Sequence, residues 1–247
     1  MKAFLYITSV TLLFVGVLFF NSCKKENMGD CIKRTGKIIK ETRTLGAFTR
    51  VEAEDNLNVF ITQDTIQEVV IEAGENIVPL IETELQGSTL YIRNKNRCNW
   101  TRSYDKPLNV HLRMPVVDYI TNSGTATVQT TNYITNPTFD IETKNSGDII
   151  LYVNNNKLVS HIFGSGDVKI NGSTNQHFCD IGGTAYLYAN NLTSSYTYIH
   201  TFTIGPSEVR SNGTIDCKID GKGDIICYGN PPIVTQTGKG PGTLYLK

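Results

Sequence analysis

The feature that most constrains the fold is a glycine-marked repeat in the second half of the chain. Successive anchor glycines are separated by 23, 19, 17, 22, 18 and 19 residues: Gly124, Gly147, Gly166, Gly183, Gly205, Gly223 and Gly242. Several of them end similar Asn-Ser-Gly or Gly-Ser-Gly turns. A period near twenty residues is typical of repeat architectures in which each copy covers its neighbour.

The residues that follow each glycine alternate between apolar and polar. The fourth position after the glycine is apolar in all seven copies: Val128, Leu151, Ile170, Leu187, Val209, Cys227 and Leu246. The second position is apolar in six copies, and the residues between are mostly polar or Tyr. This period of two predicts a strand with one buried face.

A single copy of the repeat cannot bury its own apolar side, but stacked copies can, with equivalent residues about 4.8 Å apart. Small hydrogen-bonding residues such as Asn154, Ser173 and Asn212 stand seven positions after the glycine and predict a second corner. We therefore predict an all-β fold, a parallel β-helix or β-solenoid, over residues 122–247. An antiparallel meander, as in a β-sandwich, is the alternative.

The preceding segment, residues 35–121, is also rich in predicted strands but does not share the register of the repeat. Leu57, Val59 and Ile61 alternate with polar or aromatic residues, and so do Val110 and Leu112. No linker rich in Gly, Pro or Ser separates this segment from the repeat. Since the ends of a solenoid need covering, we expect this β-rich part to join or cap the stack.

The N-terminus reads as an export signal. Lys2 precedes an apolar run, and Phe20-Asn21-Ser22-Cys23 resembles the site at which a bacterial lipoprotein signal is cleaved and the cysteine is lipidated. Residues 1–22 are then the signal peptide, Cys23 carries the lipid, and residues 23–34 form a polar tether. The alternative is an uncleaved membrane helix, because the apolar run approaches the roughly 20 residues that span a bilayer.

Charge and motifs exclude several classes of function. The 247 residues include 23 Lys and Arg against 23 Asp and Glu, which argues against a nucleic-acid partner. With 40% hydrophobic and 19% charged residues, the chain is not of the disordered class. A G-x-S-x-G elbow, a Walker loop, a C-x-x-C pair and an H-x-x-x-H pair are all missing from the sequence, so we predict neither a cofactor nor an enzyme.

Short motifs in the first half resemble a known family. They are Gly46-Ala47-Phe48, Asn58-Val59, Gln63-Asp64, Val69-Val70-Ile71-Glu72-Ala73 and Thr89-Leu90-Tyr91-Ile92, followed by the recurring Ser-Gly turns. In this order they resemble the family called putative auto-transporter adhesin head domain, or head GIN domain, over roughly residues 40 to 246. The resemblance implies a right-handed β-helical fold, a Bacteroidetes-type lipoprotein and an adhesion or surface role, with no catalytic residues to carry over.

Two carboxylates form one candidate site. Asp148 and Asp167 each follow an anchor glycine, and stacking would place them close together. They could bind Ca²⁺, or act as acid and base on a polysaccharide. The alternative is turn chemistry, in which an Asp side chain accepts hydrogen bonds from nearby backbone N–H groups.

A basic and aromatic cluster forms the second candidate site. Five basic residues and the single Trp fall between residues 93 and 106, and the candidate ligand-binding residues are Arg97, Trp100, Arg102 and Tyr104. Arg beside an exposed aromatic ring suits an anionic or sugar ligand. A solvated hairpin tip is the alternative.

The cysteines fit an exported protein. Cys31 and Cys98 lie outside the repeat, and we predict that they form a disulfide worth about 4 kcal/mol on the chain-entropy model. Cys227 falls on the buried register of the repeat, and Cys179 and Cys217 are also expected to point inward.

The sequence thus predicts a cell-envelope lipoprotein with a non-enzymatic binding or adhesion role. We expect it to be anchored by lipid in the outer membrane, facing the periplasm or the cell surface, with a glycan or surface protein as its partner. A polysaccharide-active β-helix enzyme and a structural envelope protein without a soluble ligand are the alternatives. Ligand identity, oligomeric state and the pairing of the three remaining cysteines do not follow from the sequence.

Overall fold

In this computed structural model, residues 34–96 and 106–247 are described, and they are built almost entirely of β-strands. The strands are β1 (Ile38–Arg43), β2 (Arg50–Ala53), β3 (Asn58–Gln63), β4 (Glu68–Gly74), β5 (Ile81–Gln86), β6 (Thr89–Asn94), β7 (Asn109–Met114), β8 (Tyr119–Asn122), β9 (Val128–Thr130), β10 (Thr138–Thr143), β11 (Ile149–Ile162), β12 (Val168–Ile181), β13 (Leu187–Thr201), β14 (Ser207–Ile219), β15 (Ile225–Tyr228), β16 (Ile233–Thr237) and β17 (Leu244–Leu246). A short 3-10 helix, Val78–Leu80, precedes β5. In the described ranges, no helix has the length and apolar character needed to cross a membrane.

The strands stack into a β-solenoid with two sheets, here named sheet A and sheet B. Sheet A has the order β5-β6-β2-β8-β10-β11-β12-β13-β14-β16, and sheet B has the order β1-β4-β7-β3-β9-β11-β12-β13-β14-β15-β17. The long strands β11 to β14 contribute their first half to sheet B and their second half to sheet A. From β8 onward, seven turns follow in chain order, one for each glycine-marked repeat. The pairing between these turns is parallel, which confirms the predicted solenoid and excludes the antiparallel meander.

The first turn of the stack in chain order is not the first in space. The turn formed by β2 and β3 lies between the turn of β6 and β7 and the turn of β8 and β9, and all of these pairings are parallel. The chain therefore returns to both sides of β2 and β3 after leaving them. The N-terminal β-rich part joins the stack in this way, as predicted.

The same part also caps one end of the stack with antiparallel strands. Strand β4 pairs antiparallel with β7, β1 pairs antiparallel with β4, and β5 pairs antiparallel with β6. Arg43 of β1 donates hydrogen bonds to the carbonyl oxygens of Ile81 (2.7 Å) and Val78 (3.0 Å), which ties the end of sheet B to the end of sheet A. The solenoid core is thus closed at this end.

Inward side chains form columns that run along the stack. One column in sheet A follows the pairing registers through Leu90, Val51, Ile120, Ile141, Ser160, Cys179, Ile199 and Cys217. Every member is at most 2% exposed. This continuous apolar interior explains why the repeat holds its register, because a slip by one residue would turn each apolar side chain toward solvent.

The anchor glycines are needed because successive turns approach each other closely. A Cβ atom on Gly166 would lie 2.1 Å from the carbonyl oxygen of Gly147, and one on Gly223 would lie 2.0 Å from the carbonyl oxygen of Gly205. No larger residue fits at such distances without moving the backbone. The glycines therefore set the spacing between turns.

Candidate functional site

The outer surface of sheet A carries a group of aromatic rings between β11 and β14, which we call the aromatic face: Phe163, Phe178, Tyr196, Tyr198 and Phe202. The centroid of the Phe178 ring lies 5.7 Å from that of Tyr196 and 6.4 Å from that of Tyr198. These residues come together because β12 and β13 pair in register, with Gln176 beside Tyr196 and Phe178 beside Tyr198. Parallel stacking therefore converts a repeat in sequence into neighbouring rings on the surface.

Two rings at the edge of the aromatic face stack across an intervening turn. Phe163 follows β11 and Phe202 follows β13, and their centroids are 6.0 Å apart with 26° between the ring planes. The residue between them in the stack is Gly182, where a Cβ atom would lie 2.1 Å from Cε2 of Phe202. Gly182 thus leaves the space that the Phe202 ring occupies. Both Phe rings remain 45% exposed, although burial of such rings is favourable.

A row of imidazoles and carboxylates flanks the two Phe rings. Asp180 lies between two histidines, with its Oδ2 3.6 Å from Nδ1 of His161 and its Oδ1 3.5 Å from Nδ1 of His200. His200 Nε2 lies 3.1 Å from Oδ2 of Asp220, within hydrogen-bond distance. The side chains of this row are between 22% and 38% exposed, so their polar atoms remain open to a ligand.

Neighbouring groups keep the end of this row negatively charged. The backbone N–H of Lys239 donates a hydrogen bond to Oδ1 of Asp220 (3.0 Å), and Nζ of Lys218 lies 3.2 Å from Oδ2. These contacts, the backbone hydrogen bond first, hold the pKa of Asp220 below its usual range. Asp220 therefore remains a carboxylate that can orient His200.

The arrangement is suited to a sugar ring. A flat, partly exposed pair of Phe rings can contact the apolar C–H face of a pyranose. The carboxylates of Asp180 and Asp220 can accept hydrogen bonds from sugar hydroxyls, and the imidazoles can donate or accept. The carboxylates disfavour a phosphate-bearing ligand at this place, since like charges repel.

Sequence reasoning missed the aromatic face, although the signal was present. His161 and His200 each stand five residues before an anchor glycine, and Phe163 and Phe202 each stand three residues before the same glycines, Gly166 and Gly205. Asp180 does not share the offset of the two histidines, and only the pairing registers place it between them. A comparison of outward positions between copies would therefore have found the two His and the two Phe, but not the whole row.

The predicted basic and aromatic cluster, Arg97, Trp100, Arg102 and Tyr104, lies outside the described residues, and it stays a prediction. On its N-terminal side, the basic residues Arg93 and Lys95 are described, and both are ion-paired. Arg93 contacts Glu54 (2.9 Å) and Glu84 (2.8 Å), and Lys95 contacts Glu82 (2.6 Å). Their positive charge is therefore already balanced within the protein.

An open cavity of about 690 Å³ lies at the capped end of the solenoid. Its lining includes Arg43, Pro79, Leu80 and Asn94, from the capped end of the solenoid. The cavity adjoins the predicted cluster in sequence, because Arg93 to Asn96 also line it.

The structure places the predicted carboxylate pair in adjacent turns. Oδ1 of Asp148 accepts a hydrogen bond from the backbone N–H of Asp167 (2.8 Å), and Oδ1 of Asp167 accepts one from the backbone N–H of Tyr186 (3.2 Å). Each carboxylate thus receives a donor from the next turn, as turn chemistry requires. Within residues 34–96 and 106–247, no group of three or more His, Cys, Asp or Glu side chains could hold a metal ion.

The three cysteines of the repeat are buried, as predicted. Cys179, Cys217 and Cys227 are free thiols, each at most 2% exposed. Burial raises the pKa of the Cys179 thiol above its usual value, and raises that of Cys217 to about 12. Cys23, Cys31 and Cys98 lie outside the described residues, so the lipidation site and the disulfide stay predictions.

Comparison with known proteins identifies a family and a set of similar folds. The model of the family described as putative auto-transporter adhesin, head GIN domain, matches residues 47–231. No curated protein matches the sequence.

Solved structures share the fold. A putative adhesin from Bacteroides fragilis is 24% identical with a TM-score of 0.76, and the match covers 85% of this chain and 97% of that one. A putative adhesin from Parabacteroides merdae is 16% identical with a TM-score of 0.65, covering 87% and 98%. A protein from Parabacteroides distasonis described as a putative lipid binding protein is 14% identical with a TM-score of 0.64, covering 85% and 97%.

Proposed function

Because the chain belongs to the family described as putative auto-transporter adhesin, head GIN domain, we propose that it is an exported envelope protein with a non-enzymatic adhesion role. Its ligand on this proposal is a glycan, bound on the aromatic face. The observation that carries the proposal is the exposed stack of Phe163 on Phe202 beside the row of His161, Asp180 and His200. Adjoining exposed apolar side chains with a polar rim are a common form of ligand-binding surface.

Burial argues against three reactive side chains, Cys179, Cys217 and His177, as catalytic groups. The thiols of Cys179 and Cys217 have raised pKa values and lie in the core, where no ligand reaches them. His177 is equally buried, and burial lowers its pKa to about 4. A nucleophile or base is effective only when it is accessible and correctly protonated.

Membrane attachment through Cys23 is the second part of the proposal. It is supported by the apolar run that ends at Phe20 and by the polar residues that follow the cysteine. We expect Cys23→Ala to release the protein from the membrane fraction. Protease treatment of intact cells then separates the cell surface from the periplasm, because only a surface protein is cleaved.

Glycan-array binding by the full chain tests the ligand class. We expect Phe163→Ala with Phe202→Ala to reduce binding at least tenfold, because both stacking rings are lost. The matched control is Tyr133→Ala with Tyr152→Ala, a second exposed ring pair with centroids 5.8 Å apart on a different part of the surface. Binding that survives in the Phe variant would contradict the proposed site.

A third variant separates the two candidate sites. Trp100→Ala with Arg102→Ala removes the cluster predicted from the sequence. Loss of glycan binding in this variant alone would assign the ligand to residues 97–104 instead of the aromatic face. An array that gives no signal with the wild-type chain would reject a glycan as the ligand.

A further inference from the structure

Over the residues that the structure describes, the solenoid is closed at one end and open at the other. In sheet A, the inward column Leu158, His177, Thr197 and Ile215 continues to Val234 of β16. The first four side chains are at most 1% exposed, whereas Val234 is 42% exposed. In the described part of the chain, β16 pairs only with β14, so the outer side of this column is uncovered.

Sheet B ends in the same way. Leu246 of β17 continues the column of Cys227, and it is 53% exposed while Cys227 is buried. Two outward side chains of the last turn, Ile233 and Tyr245, are also exposed. The end of the stack is therefore an apolar patch bordered by two edge strands.

The two ends differ in charge as well as in packing. At the capped end, β1 carries Lys40, Glu41 and Arg43, and β5 carries Glu82 and Glu84. Charged residues on an edge strand are a common device against pairing with another chain. At the open end, the sequences of β16 (IVTQT) and β17 (LYL) contain no charged residue.

We propose that the open end binds a second copy of this chain, open end to open end. In this dimer β16 pairs antiparallel with β16 of the second copy, about a two-fold axis that passes near Thr235. The neutral edge favours this pairing, because no like charges come to lie opposite each other. The same axis brings the two copies of β17 together, so that the apolar columns of both copies meet and are covered.

The charges decide against the alternative of stacking the open end on the capped end of another copy. That contact would repeat without closing and would form a filament. It would also set the neutral β16 and β17 against β1 and β5, whose charged residues oppose pairing with another chain. The two-fold contact closes after two copies.

The dimer also separates the two N-terminal segments. The chain reaches the solenoid at the capped end, where the carbonyl of Arg34 accepts a hydrogen bond from Asn76 Nδ2 (2.8 Å). In the proposed dimer these points lie at opposite ends. If Cys23 is lipidated, as the proposed function requires, two copies anchored in facing membranes can join through their open ends.

The mass of the full chain in detergent, measured by light scattering over a dilution series, tests the dimer. We expect the wild type to be dimeric and Thr235→Lys to halve the mass, because the axis places the two lysines opposite each other. Thr235 is exposed on the last turn, and an unchanged circular dichroism spectrum verifies that the variant folds. A monomeric wild type, or a dimer that Thr235→Lys leaves intact, would overturn the proposal.

Cross-linking provides a test that does not depend on disrupting the contact. Thr235→Cys should form an intermolecular disulfide on a non-reducing gel, since the two thiols meet at the axis. The control is Ser165→Cys, an exposed position on a turn away from the open end, which should remain monomeric. Equal cross-linking of both variants, or none in either, contradicts a dimer through β16. Neither test uses a glycan, so the dimer can fail while the glycan proposal stands, and the reverse.

Discussion

The hydroxyl oxygen of Ser160 lies 3.1 Å from Nε2 of His177, and both side chains are enclosed between stacked strands of sheet A. Burial lowers the pKa of His177 from 6.5 to about 4, since a charged imidazole would lose its hydration there. The unfolded chain therefore binds one more proton than the folded chain between these two values. Burial of this imidazole therefore makes the stability of the fold depend on pH in the acidic range.

The first prediction is a loss of stability in mild acid. The contribution of neutral His177 to the free energy of unfolding is fully present above pH 6.5. It decreases as the pH falls toward 4, by about 3 kcal/mol over the whole window. Urea denaturation across this range measures it. Ser160→Ala with His177→Leu removes both polar partners, so this variant should lose less stability on acidification than the wild type. An identical pH dependence in the two proteins would contradict the assignment to His177.

The second prediction concerns the spacing of the turns. Gly223→Ala should reduce the free energy of unfolding by about 2–4 kcal/mol, because its Cβ atom would lie 2.0 Å from the Gly205 carbonyl oxygen. Gly46→Ala is the control, since its Cβ atom would meet only the end of the Leu85 side chain at 3.1 Å. We expect that variant to stay within about 1 kcal/mol of the wild type in urea denaturation. Equal losses would show that close approach is not the reason for the glycine.

The third prediction is that the repeat cysteines are protected in the folded protein. Cys179, Cys217 and Cys227 should not react with iodoacetamide at neutral pH, because they are buried and burial raises the pKa of each thiol. All three should react in denaturant, and peptide mass spectrometry distinguishes them from the other cysteines. Labelling of any of the three under native conditions would indicate that the stack opens locally.

The fourth prediction separates the two interpretations of Asp148. If Asp148 serves as an acceptor for the backbone N–H of Asp167, Asp148→Ala should lower the free energy of unfolding by about 1 kcal/mol. Asp148→Asn should lower it less, because the amide keeps an oxygen at the site. Thermal melting with and without EDTA tests the calcium interpretation. We expect no shift on adding EDTA, and a lower melting temperature in EDTA would favour chelation.

The repeat was predictable because its inward positions follow the local period of two. Val128, Ile170 and Leu187 are all buried at the position predicted from the preceding glycine. Leu246 occupies the same position and is 53% exposed, because it belongs to the last turn and nothing in the described chain covers it. Periodicity predicts the direction of a side chain, but burial also needs a neighbour.

The order of the first turns was not predictable, since it depends on pairing between distant segments. Nothing in the local pattern of β2 indicates that β6 and β8 lie on its two sides. The aromatic face has the same origin, because Phe163 and Phe202 meet only when three successive turns are in register and the middle one carries Gly182. Predicting such features requires knowing which strands pair with each other.

The insertion of β2 and β3 between later strands has a consequence for how the protein folds. Strands β2 and β3 gain partners on one side from β6 and β7, but they gain partners on the other side only when β8 and β9, near residue 130, are present, so half of the protein is needed before its first layers can be completed. Pairings over such sequence distances form slowly. The later turns can then add one at a time on a finished template. Maturation should therefore begin with one slow, all-or-none step and continue as rapid growth toward the C-terminus.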